Sequence, residues 1–218
     1  MKPTEILSGE HRIIEQVLDC LEEVAQDCET QGRLDKTSAE QALDFFRNFA
    51  DGCHHGKEET HLFPAMEARG FPRQGGPTGV MLYEHEQGRA HIQGMAEAVE
   101  GATAGQNEAV TQFVTHARGY VGLLREHIEK EDHCLFAMAN QALTEDDQQR
   151  LLAAFHHVEH EHMGLGMHEK FLQVADELAE QFGVIRGVRN SRAGCGYHPT
   201  MPVIAAPGTL PASSTVAR

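Results

Sequence analysis

The chain has 218 residues, no tryptophan and a formal net charge of −15. An acid surplus of this size argues against a nucleic-acid backbone as partner, because phosphate contacts need a basic face. No apolar run nears the roughly 20 residues that span a bilayer, so the chain is expected to have no membrane partner.

The length allows one sizeable core, and the abundance of Ala, Glu, Gln, Leu and His favours helix. Five cysteines without a CxxC pair argue against a disulfide framework or a zinc knuckle. Met1-Lys2-Pro3-Thr4-Glu5 is not followed by the apolar stretch of a signal peptide. The expected compartment is the cytoplasm, with reduced thiols.

In chain order, Leu7, His11, Ile14, Leu18, Leu21 and Ala25 advance by alternating steps of four and three. After the turn Gln31-Gly32-Arg33-Leu34-Asp35, a looser stripe runs through Phe46, Ala50, His54, Glu58 and Leu62. A Gly- and Pro-rich break from Arg69 to Pro77 precedes Met81, His85, Gly88, Ile92, Met95 and Val99. The Gly101–Gly105 break precedes Phe113, Ala117, Tyr120, Leu124, His127, Glu131 and Cys134. The alternation is the seam of a left-handed helical bundle, and short connections make neighbours antiparallel. The expected fold is all-α, an up-down-up-down four-helix bundle over residues 1–143.

Thr144, followed by Glu145, Asp146 and Asp147, reads as the cap and acidic first turn of a fifth helix. That helix is expected to pack on the bundle within residues 144–186, running to about Phe182 with weak points at Gly164 and Gly166. Residues 187–218 hold arginines but no acid among Gly, Pro, Ser and Ala, and read as a disordered basic tail. The Cys195-Gly196-Tyr197-His198 stretch there lacks a partner pair for a metal. Attraction between this tail and the acidic bundle gives it a potential role toward a protein partner.

One constellation occurs twice. His11 precedes His54 by 43 residues, His85 precedes His127 by 42, and each second histidine opens a His-x-x-x-Glu unit ending at Glu58 or Glu131. Residues four apart share a helix face, and all six lie on apolar seams, where an unpaired ionisable group is costly. Leu-Phe falls eight and nine residues after His54 and after His127. That register selects His54 and Glu58 over His55 and Glu59, and assigns His55, His61 and His133 to the surface or to supporting positions.

Four imidazoles and two carboxylates, each carboxylate able to bridge two cations, make a two-metal site. An oxo or hydroxo bridge would bring each ion to five ligands and leave an octahedral ion one open position. The mixture suits iron or manganese better than thiolate-seeking metals, and ligand type alone does not separate zinc. Tyr120 shares the His127 seam and is a weaker candidate, as are Glu159 and His168 on the fifth helix. No phosphate-binding glycine loop and no Gly-x-Ser-x-Gly elbow occurs. Cys53 and Cys134 flank the site, with core packing favoured over redox chemistry.

These signatures resemble the hemerythrin-like, HHE cation-binding family of bacterial proteins. They are Glu10-His11, His54-x3-Glu58-Glu59-x2-Leu62-Phe63-Pro64, Glu84-His85-Glu86 and His127-x3-Glu131-Asp132-x2-Leu135-Phe136, and the resemblance covers residues 5 to about 140. It implies a four-helix bundle around a non-haem di-iron centre with an oxo or hydroxo bridge. His11, His54, His85 and His127 would be terminal ligands, with Glu58 and Glu131 as bridges.

The oxygen-carrying members have a further histidine four residues after the position of His85, where this chain has Arg89. That departure is expected to leave both irons open and to favour reaction with O2, peroxide or NO, in stress response or sensing, over simple oxygen storage. Peroxide decomposition by a catalase- or peroxidase-like di-iron enzyme is an alternative, as is iron donation in iron–sulfur cluster repair.

Overall fold

The computed structural model describes residues 1–159 and 166–185, which contain helices and no strand. Helix α1 spans Pro3–Gln31. A second rod begins as α2, Lys36–Phe45, widens into π-helical turns at Phe46–His55 and Glu58–Leu62, and closes as α3, Phe63–Ala68. Helix α4 covers Pro77–Thr103. The fourth rod is α5, Asn107–Lys130, a π-helical turn at Glu131–Leu135, and α6, Phe136–Ala142. The rods pack in a closed ring, α1 on α2, α2 on α4, α4 on α5 and α5 on α1, the up-down-up-down arrangement.

The widened turns account for the looser second stripe. An α-helix has 3.6 residues per turn, so repeated steps of four drift by about 40° each. Phe46, Ala50, His54, Glu58 and Leu62 keep steps of four throughout, and the wider i→i+5 turn takes that drift back. His127, Glu131 and Leu135 repeat the step, and there too the π turn begins at the glutamate.

The expected fifth helix is two helices, α7 at Glu145–His157 and α8 at Met167–Phe182. Gly166 caps α8 with φ 79, a left-handed conformation that glycine adopts without penalty. Gly164, His160, Glu161 and His162 lie outside the described residues, as do Cys195, His198 and the tail assigned to 187–218. Thr144 caps α7 as its sequence predicts. Its Oγ1 accepts from the Asp147 amide at 3.2 Å, and the Asp147 carboxylate accepts from the Thr144 amide at 2.9 Å. Thr144→Ala should lower stability by about 1 kcal/mol, read as a lower denaturant midpoint at unchanged slope.

Two apolar layers result, and they position the site. One contains Ile14, Leu18, Phe45, Phe49, Ile92 and Leu124 and is covered by Phe171, Ala175 and Leu178 of α8. The other contains Leu7, Leu62, Phe63, Met81 and Leu135 and is covered by Leu151 and Phe155 of α7. On every rod the sequence passes from one layer to the other through a ligand-type residue. His11 lies between Leu7 and Ile14, His85 between Met81 and Ile92, and the two His-x-x-x-Glu units fill the same gap on the other rods. A polar layer is therefore sealed between two dry ones.

Candidate metal centre

The structure brings all six predicted residues into that layer. His11 and Glu58 are 0% exposed, His54, His85 and His127 are each 1%, and Glu131 is 0%. Two imidazole pairs meet through their Nε2 atoms, His11 with His54 at 3.0 Å and His85 with His127 at 3.1 Å. The glutamates lie between the pairs. Glu58 Oε1 is 3.6 Å from His54 Nε2, and its Oε2 is 3.6 Å from His85 Nε2. Glu131 Oε2 is 3.3 Å from both His11 Nε2 and His127 Nε2. Each carboxylate thus faces both pairs.

The four carboxylate oxygens of Glu58 and Glu131 are buried without a hydrogen bond. Buried polar atoms are normally satisfied, so this layer is built for groups that bind oxygen and imidazole nitrogen together. A pair of cations fits that donor set. Without cations the two carboxylates oppose each other. Burial, then the charge of Glu131, pushes the Glu58 carboxyl well above its ordinary range. Burial acts the same way on Glu131, but the adjacent His127 and His11 rings outweigh it and hold that group well below its ordinary value.

An outer ring of carboxylates fixes the imidazoles. Asp132 faces His11 Nδ1 at 2.9 Å, Glu10 faces His54 at 2.9 Å, Glu59 faces His85 at 2.7 Å and Glu84 faces His127 at 2.9 Å. With Nδ1–H donated outward, each Nε2 lone pair points into the layer, the orientation metal-bound histidines need. Each of these acids adjoins a central residue in sequence yet serves a histidine on a different rod. Lys57 and Lys130 complete the pattern by donating to Glu10 and Glu84.

His55 departs from expectation. It is 3% exposed and belongs to the inner layer, its ring stacked on His85 with centroids 3.8 Å apart. Its Nδ1 faces Asp51 at 3.3 Å, and it clusters with Glu58, His85 and His127 at metal-ligand spacing. Burial, reinforced by the neighbouring His85, holds its pKa well below the ordinary range, which leaves the ring neutral, as a metal ligand must be. The widened turn at Phe46–His55 brings two consecutive histidines inward, which an ideal helix does not do. In the second half the residue after His127 is Ile128, so the duplicated frame is asymmetric, with three imidazoles on one side and two on the other.

Arg89, at the position of the missing histidine, points elsewhere. Its guanidinium donates to Asp51 at 2.9 Å, Glu59 at 2.7 Å and Glu86 at 2.7 Å. Tyr120 is buried, edge-on to Phe46, and it lines a cavity of about 350 Å³ together with Asp51, His55, His85 and Arg89. Glu159 and His168 stay outside the inner layer. Lys57 donates to Glu159 at 2.6 Å, and His168 Nε2 is 3.9 Å from Glu10, so both reach the centre only through Glu10 and His54. His133 is exposed as expected, and His61 is half-buried near Phe155. Cys53 is a buried free thiol that burial raises to about 12, which suits packing.

The hemerythrin HHE cation binding domain matches residues 2–139, the span that supplies every residue of the inner layer. The chain belongs to the hemerythrin HHE cation-binding family. Three uncharacterized proteins, one from Mycobacterium bovis and two from strains of Mycobacterium tuberculosis, are each 21% identical over 176 residues, covering 81% of this chain and 67% of theirs. No solved structure matches. For a member of this cation-binding family, the four unsatisfied oxygens are the expected mark of a binding layer. Helices α7 and α8 lie beyond the matched domain and seal its two apolar layers from outside. Among the described residues, no helix is long and apolar enough to cross a membrane.

Proposed function

We propose that the protein holds two iron ions and reacts with a small uncharged molecule, O2, peroxide or NO, in the cytoplasm. The observation that carries this reading is the set of four buried oxygens of Glu58 and Glu131, none with a hydrogen bond, between unequal sets of imidazoles. His11 and His54 would hold one ion, His55, His85 and His127 the other, and the glutamates would bridge. A bridged iron pair supplies redox chemistry toward such ligands. The side with two imidazoles has one nitrogen fewer, whereas the cavity that Tyr120 lines lies against the other side, at His55 and His85. His55 thus replaces the ligand whose absence at Arg89 predicts two open ions.

The chain's own residues set access and polarity. The cavity beside His55 and His85 has its Arg89 charge already matched by Asp51, Glu59 and Glu86, which favours a neutral visitor over an anion. Burial of Cys20, Cys28 and Cys53 as free thiols suits a reducing compartment.

A second reading, peroxide decomposition, is favoured by Tyr120. Burial, then the nearby Asp51 charge, keeps the phenol protonated. It can donate to a molecule in the cavity.

Protein loaded with ferrous iron without oxygen should contain two irons per chain and develop near-ultraviolet oxo-bridge absorption on oxidation. A single iron would defeat the two-metal reading. If the enzyme reading holds, wild type releases O2 from peroxide, and Tyr120→Phe slows release at least tenfold at unchanged iron content. Reversible O2 binding without turnover would leave the first reading standing and remove the second.

A further inference from the structure

Helices α4 and α5 carry a second reciprocal histidine arrangement, away from the inner layer. His91 on α4 and His116 on α5 are both half-buried, and their Nδ1 atoms are 3.3 Å apart. Each ring lies over a glycine of the opposite helix. A Cβ at Gly94 would fall 2.4 Å from His116 Nε2, and one at Gly119 would fall 2.4 Å from His91 Cε1. The pattern is His-x-x-Gly on both helices, and any larger residue at either glycine would displace the ring that crosses it.

Two Nδ1 atoms this close cannot both present bare lone pairs. Either a proton or a cation must lie between them. Bonds of about 2.0–2.1 Å at a tetrahedral zinc put two nitrogens about 3.3–3.4 Å apart. Adjacent positions on a square-planar copper put them nearer, at about 2.8–2.9 Å. The observed separation matches the tetrahedral case. No third histidine, cysteine or carboxylate reaches the pair among the described residues, so a bound ion would keep two positions for water or an incoming ligand.

We propose that His91 and His116 form a second metal site, distinct from the inner layer, for a tetrahedral divalent cation of the zinc type. The site does not depend on the iron chemistry. His91 lies six residues beyond His85 on α4, roughly 9 Å along the helix axis, and neither histidine belongs to the inner clusters.

The test is calorimetric titration of zinc into the full, iron-loaded chain, with iron content measured before and after. One zinc per chain at unchanged iron is expected. His91→Gln and His116→Gln should each weaken that equivalent at least tenfold. Gly94→Ala keeps both histidines but drives a methyl into the His116 ring, and it should weaken zinc binding similarly. Gly122→Ala, whose new methyl meets nothing within 4 Å, should leave it unchanged. No zinc uptake by wild type would overturn the proposal and leave the pair as a simple N–H···N hydrogen bond. Zinc uptake matched by iron loss, an equivalent that survives both histidine changes, or full binding by Gly94→Ala would overturn it as well.

Discussion

Changing Glu58 to glutamine should abolish retention of the metal pair while leaving the metal-free chain, at a pH below the ordinary carboxyl range, within about 1 kcal/mol of wild type. The two halves of this result have separate causes. In the metal-free chain, burial and the Glu131 charge already keep the Glu58 carboxyl protonated, and in acid the unfolded chain is protonated there too, so a neutral amide of the same shape changes little. With metal, the amide offers only one neutral acceptor where Glu58 faces both imidazole pairs. Wild type should therefore gain stability on iron loading, about 4 kcal/mol when free metal is 1,000 times its dissociation constant, and Glu58→Gln should gain almost nothing.

A pH series sharpens the comparison. Glu58 has its folded pKa raised above its unfolded value, so the metal-free native state holds a proton that the unfolded chain has released. Its contribution is present below the ordinary carboxyl range and fades as pH rises from there toward the folded pKa. The stability of wild type minus that of Glu58→Gln should fall across that window. Anaerobic thermal unfolding with and without iron, together with metal analysis, reads both effects. Two irons retained in Glu58→Gln would remove Glu58 from the bridging role.

The sequence carries most of this site because its spacing maps directly onto helix geometry. Steps of three and four put His11, His85 and His127 on seams, and buried seams leave their ionisable groups nowhere to go but together. The Leu-Phe register pairs His54 with Glu58, which the structure places 3.6 Å apart, and it sets aside His55, which the structure buries against His85. In an ideal helix consecutive residues diverge by about 100°, whereas the widened turns at Phe46–His55 and Glu58–Leu62 bring both rings inward. The unbroken step of four from Phe46 to Leu62 was the available signal.

The outer carboxylates were visible as neighbours, in Glu10-His11 and Glu84-His85. Their targets, His54 and His127, depend on the rods' packing and not on local spacing. The split between α7 and α8 was partly legible through Gly166. The covering of the two layers by Phe155 and Phe171 was not, because it follows from how the helices dock.

Lys57→Met is expected to destabilise the protein by about 3–5 kcal/mol, the cost of leaving a buried charge without its partner. The Lys57 side chain is 0% exposed, donates to Glu10 and Glu159, and lies 5.7 Å from the Phe155 ring centre. Its counterpart in the other half, Lys130, is 39% exposed, and the difference is that Glu159 and Phe155 cover Lys57. Lys57 therefore links the C-terminal helices to His54 through Glu10, and hydrogen exchange should speed up first in α7, whose Phe155 packs beside it.

The effect should shrink in acid. Burial works to raise the Glu10 carboxyl, but the His54 contact and the Lys57 charge hold it down to about 2. A depressed folded pKa gives stability that is present above the unfolded value and lost as pH falls through the folded one. The gap between wild type and Lys57→Met should close over that range.

A second variant separates charge from position. Glu10→Gln added to Lys57→Met removes the orphaned charge but keeps an amide oxygen for His54 Nδ1–H, and should recover more than half of the lost stability. Iron affinity should stay about 10–100-fold below wild type, because the imidazole loses its charged acceptor. If stability and iron affinity recover together in the double variant, Lys57 acts on the centre only by holding the fold. If iron affinity stays low while stability returns, the Glu159–Lys57–Glu10–His54 chain tunes the metal ligand, and docking of the C-terminal helices is coupled to it.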